Sequence, residues 1–162
     1  MDTPLFTATP YVIRRFSREE SPLDFELALS LRMEVFVEEQ AVPEEEELDG
    51  KDDEAIHWLV LNTYTLETIA TARMLPCQEG CQLRPVAKIG RVAVKRSMRG
   101  RRLGELVMQE VLETVAEQGY DQAILDAQVQ ALPFYEKLGF VVEGDEFMDA
   151  GIPHYRMRCV LN

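Results

Sequence analysis

Strand-like and helix-like segments alternate through the middle of this chain, and their order constrains the fold more than any other feature of the sequence. Apolar residues at helical spacing predict one helix over about residues 22–36 and a second that begins at Leu103 and stops at Gly119. A short third helix is predicted over residues 131–138. The predicted strands cover residues 11–16, 57–62, 68–75, 88–94, 123–127, 140–143 and 154–161. This order predicts an α/β or α+β fold with a mixed central sheet flanked by helices.

The composition fits one compact domain, which we assign to residues 1–162, because 46% of the residues are hydrophobic and domains commonly contain about 100–150 residues. No apolar run approaches the roughly 18 residues that a membrane-spanning helix needs. The start of the sequence, from Met1 to Pro4, lacks the basic and apolar segments of a secretory signal. The three cysteines, Cys77, Cys81 and Cys159, match neither a CxxC motif nor a zinc cluster. We therefore expect a cytoplasmic protein that binds neither a membrane nor a structural metal.

Opposite charges are concentrated in two separate parts of the sequence, whose formal net charge is −12. Residues 38–54 contain ten acids and one lysine, whereas residues 80–104 contain eight bases and no acid. The net charge argues against binding nucleic acid through a basic surface. The separation is typical of a protein that binds two ligands of opposite charge, and two solvated surfaces are the alternative. Because residues 38–54 also contain Pro43 and Gly50, we predict an exposed loop there, with at most a short helical turn.

The junction between the predicted strand 88–94 and the helix that follows it is the most informative stretch. The glycine-containing loop at this junction has four arginines in a stretch of seven residues: Arg96, Arg99, Arg101 and Arg102. A helix N-terminus presents unpaired backbone N–H groups and a partial positive charge, which suit a phosphate, and arginine adds charged donors. The loop matches neither GxxxxGK[ST] nor GxGxxG. On the residues alone, a phosphate site and an ordinary basic turn both remain possible readings.

Two motifs in the same order resemble those of the GNAT N-acetyltransferase superfamily. Residues 99–104 (RGRRLG) resemble its pyrophosphate loop, Q/R-x-x-G-x-G/A, and residues 128–140 (QVQALPFYEKLGF) are similar to its N-x-x-A-x-x-F-Y-x-x-x-G-F segment. Residues 32–43 (RMEVFVEEQAVP), with His57 and residues 150–154 (AGIPH), look like the ElaA/YjcF-like branch. The resemblance covers about residues 31–157.

This resemblance implies the GNAT acyl-CoA N-acyltransferase fold, with acetyl-CoA as the cosubstrate. It also implies that the strand ending at Val94 splays from its neighbour, so that the free backbone groups bind the pantetheine arm. The implied cofactor-binding residues are Val92, Ala93, Val94, Arg99, Gly100, Arg101, Arg102, Leu103, Gly104 and Gln128. Two of them depart from the motifs. Arg102 replaces the usual glycine, which is unfavourable if the backbone there has a positive φ, and Gln128 replaces the usual asparagine.

The resemblance also implies direct attack of an amine on the thioester. Tyr135 matches the family tyrosine that protonates the departing sulfur, and a backbone N–H near Val94 can stabilise the oxyanion. His154 is the second predicted catalytic residue, although the identity of the base is open. Other candidate bases are Glu39, Glu45, Glu46, Glu47, Asp49 and His57, and bulk water is an alternative. A structural, hydrogen-bonded histidine is the simpler interpretation of His57.

The predicted activity is acetylation of a primary amine on a small molecule or peptide. The acidic residues favour a cationic acceptor, and a homodimer is left open. A non-catalytic acyl-CoA-binding regulatory module on the same fold is the alternative. A protein-interaction domain, whose acidic loop docks a basic partner, is another.

Overall fold

The structure of the protein is a computed structural model that describes residues 10–77 and 85–161. Cys81 and Arg84, which belong to the patterns above, lie outside the described residues. The strands are β1 (Tyr11–Phe16), β2 (Ile56–Asn62), β3 (Thr68–Pro76), β4 (Val86–Val94), β5 (Gln122–Gln128), β6 (Val141–Asp149) and β7 (Ile152–Val160). The α-helices are α1 (Pro22–Arg32), α2 (Glu44–Glu47), α3 (Leu103–Glu117) and α4 (Leu132–Glu136).

All seven strands belong to one sheet in the order β1-β2-β3-β4-β5-β7-β6. Neighbouring strands are antiparallel except for β4 and β5, which are parallel. The predicted mixed sheet flanked by helices is therefore confirmed. The single parallel pair lies at the centre of the sheet, where the connection between its strands runs through α3.

Helices cover both faces of the sheet. Alternate residues of a strand point to opposite faces, so neighbouring residues of one strand pack on different helices. Trp58 of β2 packs in the large core cluster that contains the predicted apolar face of α3. Leu59, the next residue, packs instead in the cluster that contains Phe25 and Ala28 of α1. The four α3 residues at four-residue spacing, Leu103, Val107, Val111 and Val115, are all at most 3% exposed.

The first helix begins as predicted and extends beyond the predicted end. Ser21 caps it by accepting a hydrogen bond from the backbone N–H of Asp24 (3.4 Å), and Pro22 occupies its first turn. After Arg32 the chain continues as a π-helix over Met33–Glu39, in which the backbone N–H of Gln40 donates to the carbonyl of Val35 at 3.1 Å. The π-helix ends at Glu39 and Gln40, whose side chains contact Arg99 and Gln128.

The prediction that residues 38–54 form an exposed loop is wrong for two of the acids. Glu47 is 3% exposed and Asp52 is 5% exposed, the first at the end of α2 and the second in a 3-10 turn, Asp52–Glu54. Charges are buried only when they are paired, and arginines from other elements pair with both.

The last elements differ modestly from the predicted ones. The predicted helix 131–138 is a 3-10 turn, Val129–Ala131, followed by the shorter α4. The predicted last strand starts two residues earlier than expected, because Ala150 (φ 52°) and Gly151 (φ 75°) make the turn and β7 begins at Ile152. Within residues 10–77 and 85–161, no helix is long and apolar enough to cross a membrane.

Candidate functional site

The parallel strands β4 and β5 separate along their length. They pair only at their beginnings, where residues 86–88 face residues 122–124. Residues 89–94 of β4 and 125–128 of β5 then diverge, and a cavity of about 880 Å³ lies between them. The splay expected from the resemblance is therefore present, and backbone groups of β4 face an open cleft instead of a neighbouring strand.

A β-bulge bends β4 at the wall of this cavity. On β3, Thr71 and Arg73 are two residues apart, whereas their partners on β4, Ala93 and Gly90, are three apart, so β4 contains one extra residue. Arg91 occupies the bulge with φ 53°, in the left-handed region that arginine rarely adopts. Val92 and Val94 follow the bulge and line the cavity.

The loop before α3 contains two residues in the left-handed backbone region. Gly100 (φ 82°) and Arg102 (φ 61°) both have positive φ, and the 15-residue helix α3 starts at Leu103. Arg102 thus occupies the left-handed conformation that favours glycine. Its side chain is 89% exposed and forms only a loose ion pair with Glu105 at 3.8 Å.

Gly104 lies at a close approach between α3 and α4. A Cβ atom on Gly104 would lie 3.1 Å from Cζ of Phe134 and 3.5 Å from Cγ2 of Val94. The absence of a side chain therefore lets the start of α3, the end of β4 and the helix that carries Tyr135 meet around one end of the cavity.

Arg99 is held by a carboxylate in this structure. Its Nη1 and Nη2 donate to the Glu39 carboxylate at 2.6 and 2.8 Å, and its Nε donates to the carbonyl of Val94 at 3.0 Å. The hydrogen bond from Arg99 lowers the pKa of Glu39. Arg99 was predicted to bind the cofactor, and in this structure Glu39 and the Val94 carbonyl accept hydrogen bonds from all three of its guanidinium nitrogens.

Gln128 lies at the end of β5, on the opposite side of the gap. Its Nε2 donates to Oε1 of Gln40 at 2.7 Å. Glu39 and Gln40 are adjacent, so the end of the π-helix contacts both separated strands, one through Arg99 and one through Gln128.

Tyr135 is 9% exposed and lines the cavity from α4. The rings of Phe134 and Phe140 contact its ring edge-on, with centroids 4.9 and 6.0 Å away. Burial raises the pKa of Tyr135 above its ordinary value of about 10. The hydroxyl is therefore protonated at neutral pH, with a proton available to donate.

His154 lines the same cavity from β7 and is 8% exposed. Its Nδ1 lies 2.7 Å from the carbonyl oxygen of Ile152, and its ring stacks on Phe147 at 5.8 Å. A carbonyl only accepts hydrogen bonds, so the neutral imidazole carries its proton on Nδ1 and has its lone pair on Nε2. That tautomer suits a proton acceptor.

A buried network of ion pairs joins residues 38–54, the acidic segment, to the rest of the fold. Arg32 at the end of α1 donates from Nε to Glu47 (2.7 Å) and from Nη1 to Asp52 (2.9 Å). Arg73 of β3 donates from Nη1 to Asp52 (2.8 Å) and from both terminal nitrogens to Asp49. The predicted separation of charge in the sequence is therefore partly cancelled in three dimensions.

The network engages three of the six alternative base candidates, Glu47, Asp49 and His57. Although burial opposes the shift, hydrogen bonds and charge from Arg73 hold the pKa of Asp49 well below its usual range, so its carboxylate is a poor base. Glu47 is bonded to Arg32. His57 is 1% exposed, its Nε2 contacts the Asp52 carbonyl oxygen at 3.0 Å, and burial lowers its pKa. Glu46 lines the cavity.

The cavity brings together nearly all of the predicted site residues. Those in its wall are Val92, Ala93, Val94, Arg99, Gly100, Arg102, Leu103, Gly104, Gln128, Tyr135 and His154. Arg101 is the exception, since it is exposed and does not line the cavity. Sequence reasoning missed several polar lining residues: Gln40, Arg73, Arg91, Asp126 and Asp149. Arg73 gave the only signal, as a charged residue inside an otherwise small and apolar strand.

Comparisons with known proteins agree with this geometry. Residues 17–161 match the family model of the acetyltransferase (GNAT) domain. The chain is 39% identical over 131 residues to YjcF, an uncharacterized N-acetyltransferase of Bacillus subtilis, covering 80% of this chain and 88% of that protein. The crystal structure of Escherichia coli ElaA superposes with a TM-score of 0.80 at 29% identity, covering 92% of this chain and 99% of that one. An acyl-CoA N-acyltransferase from Pseudomonas aeruginosa gives a TM-score of 0.77 at 28% identity, covering 92% and 99%.

Proposed function

The chain belongs to the GNAT acetyltransferase family, whose members are acyl-CoA-dependent acyltransferases, and we propose that it transfers acetyl from acetyl-CoA directly to a primary amine of a small molecule or peptide. The observation that carries this proposal is the gap between β4 and β5. It runs from the N-terminus of α3 to a wall that contains Tyr135 and His154. One continuous cavity therefore offers an anion-binding end and a pair of proton-transfer groups.

The loop before α3 is the proposed site of the pyrophosphate. Backbone N–H groups at a helix N-terminus bind anions, and positive φ at Gly100 and Arg102 turns the loop around such a group. Arg101 and Arg102 add charge at the exposed rim. The pantetheine arm would then lie along β4, pairing with the backbone of residues 92–94 in place of a missing strand.

The proposed reaction forms one C–N bond and breaks one C–S bond. The neutral amine attacks the thioester carbonyl carbon and gives a tetrahedral oxyanion, which backbone N–H groups of β4 stabilise. The intermediate collapses, and CoA leaves as the thiol because Tyr135 gives its proton to the departing sulfur. The proton lost by the amine nitrogen goes to Nε2 of His154, and its return through solvent to the Tyr135 phenolate restores both groups.

Each of the two side chains is suited to its role by its surroundings. The hydrogen bond between His154 Nδ1 and the Ile152 carbonyl fixes the tautomer in which Nε2 accepts. Tyr135 is protonated at neutral pH because a phenol ordinarily has a pKa of about 10, and burial raises that pKa further. A free thiol has a pKa of about 8.5, so a proton donor at the sulfur assists its departure.

We propose a cationic acceptor because of two carboxylates in the cavity wall, and not because of all ten acids of residues 38–54. Glu47 and Asp49 line the cavity, but arginines already neutralise them. Glu46 and Asp149 also line it, and neither forms an ion pair with another described residue. These two carboxylates are the groups left to attract an ammonium ion.

The test is an amine panel assayed for CoA thiol release and for the mass of the acetylated product. The panel should contain monoamines, diamines, amino acids and a peptide with a free N-terminus. A Tyr135→Phe variant is the matched control, because it keeps the ring contacts with Phe134 and Phe140 and deletes only the hydroxyl. In single turnover its rate should fall about 10²–10⁴-fold, with acetyl-CoA affinity unchanged.

Two results would contradict the proposal in different ways. If the parent protein binds acetyl-CoA by calorimetry but releases no CoA with any amine, the non-catalytic binding module is the better description. If the Phe variant transfers acetyl at the parental rate, Tyr135 is a packing residue and the mechanism has no acid at that position.

A further inference from the structure

Arg91 occupies an unfavourable backbone conformation at the wall of the cavity, and the proposed chemistry gives its side chain no role. It has φ 53° and lies inside the bulge of β4. A non-glycine residue persists in the left-handed region only when its surroundings hold it there. The bulge also lies beyond Lys88, where β4 has lost β5 as a neighbour. Among the strands that the structure describes, β3 alone pairs with β4 at this point.

The guanidinium of Arg91 is held by the acidic segment. Its Nη2 donates to the backbone carbonyl of Glu47 at 3.1 Å and lies 3.3 Å from Oδ2 of Asp49. Its Nε lies 2.9 Å from Oε2 of Glu47, although it is not aligned for a hydrogen bond, so that contact is an ion pair. The same Nη2 also donates to the backbone carbonyl of Glu46 at 3.4 Å, so three residues of one segment hold a side chain that starts in the bulge.

The acidic segment is itself fixed without Arg91. Arg32 binds Glu47 and Asp52, and Arg73 binds Asp49 and Asp52. Three guanidinium groups and three carboxylates balance in charge, and Arg32 and Arg73 are the two buried members among the arginines. Arg91 is therefore a connection from an anchored segment to the bulge, and its loss leaves each of these carboxylates with another arginine.

We propose that Arg91 is the positioning residue that fixes the β4 bulge and so aims the backbone between the bulge and Val94 at the thioester carbonyl of a bound acyl-CoA. This inference rests on the proposed function, since it assumes that acyl-CoA lies along β4. Arg91 acts through the backbone and does not touch the reacting atoms.

The acidic segment has a corresponding role. Residues 47–52 form the anchor of this clamp, so their charges hold the shape of the site instead of attracting a ligand.

The decisive variant is Arg91→Gly, because glycine adopts a positive φ without strain and so removes the guanidinium while permitting the bulge. Arg91→Lys keeps a charge that can reach one carbonyl but lacks the fork that contacts several acceptors. Arg14→Ala is the control, because it removes an ion pair of similar length, 2.9 Å to Asp24, outside the cavity wall.

The first readout needs no amine. Acetyl-CoA labelled with ¹³C at the carbonyl should show a lowered carbonyl stretching frequency when it binds the parent protein, because backbone N–H groups polarise the bond. With Arg91→Gly the labelled acetyl-CoA should still bind, and the frequency should return towards that of free acetyl-CoA. Arg91→Lys should be intermediate, and Arg14→Ala should match the parent.

The second readout uses any amine that the parent acetylates. The kcat of Arg91→Gly should fall about 10- to 100-fold, since a small misplacement of a catalytic group has that effect, while the KM for acetyl-CoA stays near the parental value. Arg91→Lys should restore part of the kcat.

Parental carbonyl frequency and kcat in Arg91→Gly would overturn the proposal, as would equal loss of acetyl-CoA binding in both Arg91 variants. If Arg91→Gly fails to fold, the same readouts on Arg91→Lys decide. A parent that acetylates no amine but lowers the carbonyl frequency of bound acetyl-CoA contradicts the proposed function alone.

Discussion

Replacing Arg102 with glycine should raise the stability of the protein, although it removes a cation from the proposed phosphate site. Arg102 has φ 61°, a conformation that costs a residue with a Cβ atom about 1–2 kcal/mol. Glycine removes that cost. It also makes the unfolded chain more flexible, which offsets about 0.4–1 kcal/mol of the gain.

The side chain of Arg102 contributes little to the free energy of unfolding, so its removal costs little. It is 89% exposed, and its nearest acid, Glu105, is 3.8 Å away. Exposed ion pairs are worth about 0–1 kcal/mol, and a separation of 3.8 Å places this pair at the low end. The net effect expected for Arg102→Gly is therefore a gain of up to about 1 kcal/mol in the free energy of unfolding. For a chain of this length that raises Tm by about 2–4 °C.

Thermal and chemical unfolding should be compared for Arg102→Gly, Arg102→Ala and the neighbouring control Arg101→Gly. Arg102→Ala keeps the Cβ atom, so it should gain nothing, while Arg101 has no positive φ and its change to glycine should lower Tm. Calorimetry with CoA should find both Arg102 variants weaker than the parent, by a similar factor. An Arg102→Gly protein that melts at or below the Tm of Arg102→Ala would refute the reasoning.

Three further predictions concern the acids of the site. Asp52→Asn should lower the free energy of unfolding at pH 7 by about 3–5 kcal/mol, because it leaves buried arginines short of a partner. Although burial opposes the shift, Arg32 lowers the pKa of Asp52, so the carboxylate stabilises the fold above about pH 4. The difference in unfolding free energy between variant and parent should therefore shrink as the pH falls below about 4. Glu39→Gln should tighten acetyl-CoA binding by releasing Arg99 for phosphate, and unchanged affinity by calorimetry would mean that Arg99 serves only to tie the π-helix to β4. Glu46→Gln should raise the KM for a diamine by up to about fivefold at low salt and less at high salt, and an equal effect on a neutral amine would contradict the role of charge.

Local sequence signals predicted the elements that build the phosphate end of the site. The spacing of Leu103, Val107 and Val111 defines the buried face of α3, and each of these residues is buried. The glycines and arginines before that helix marked the turn at its N-terminus. These features depend on neighbours within a few residues, so they are visible in the sequence itself.

The acidic segment was misread because its burial depends on residues far away in the chain. Glu47 and Asp52 lie 15 and 20 residues after Arg32. Arg73 lies 21 residues after Asp52 and Arg91 lies 44 residues after Glu47. A run of acids resembles a solvated loop unless the arginines that meet it are known. Arg73, a charged residue within an apolar strand, was the one feature of the sequence that indicated a buried ion pair.

The sequence by itself determined the order of helices and strands, the apolar faces that pack on the sheet and the glycine-containing turn before α3, because each follows from local periodicity and backbone preference. The tertiary structure alone decided which charged side chains are neutralised in ion pairs. It paired Arg99 with Glu39, buried Glu47 and Asp52 against Arg32, and joined Arg91 to the segment that holds them. It did so because the energy of an ion pair depends on distance and burial, which are set only when the strands and α1 are packed together.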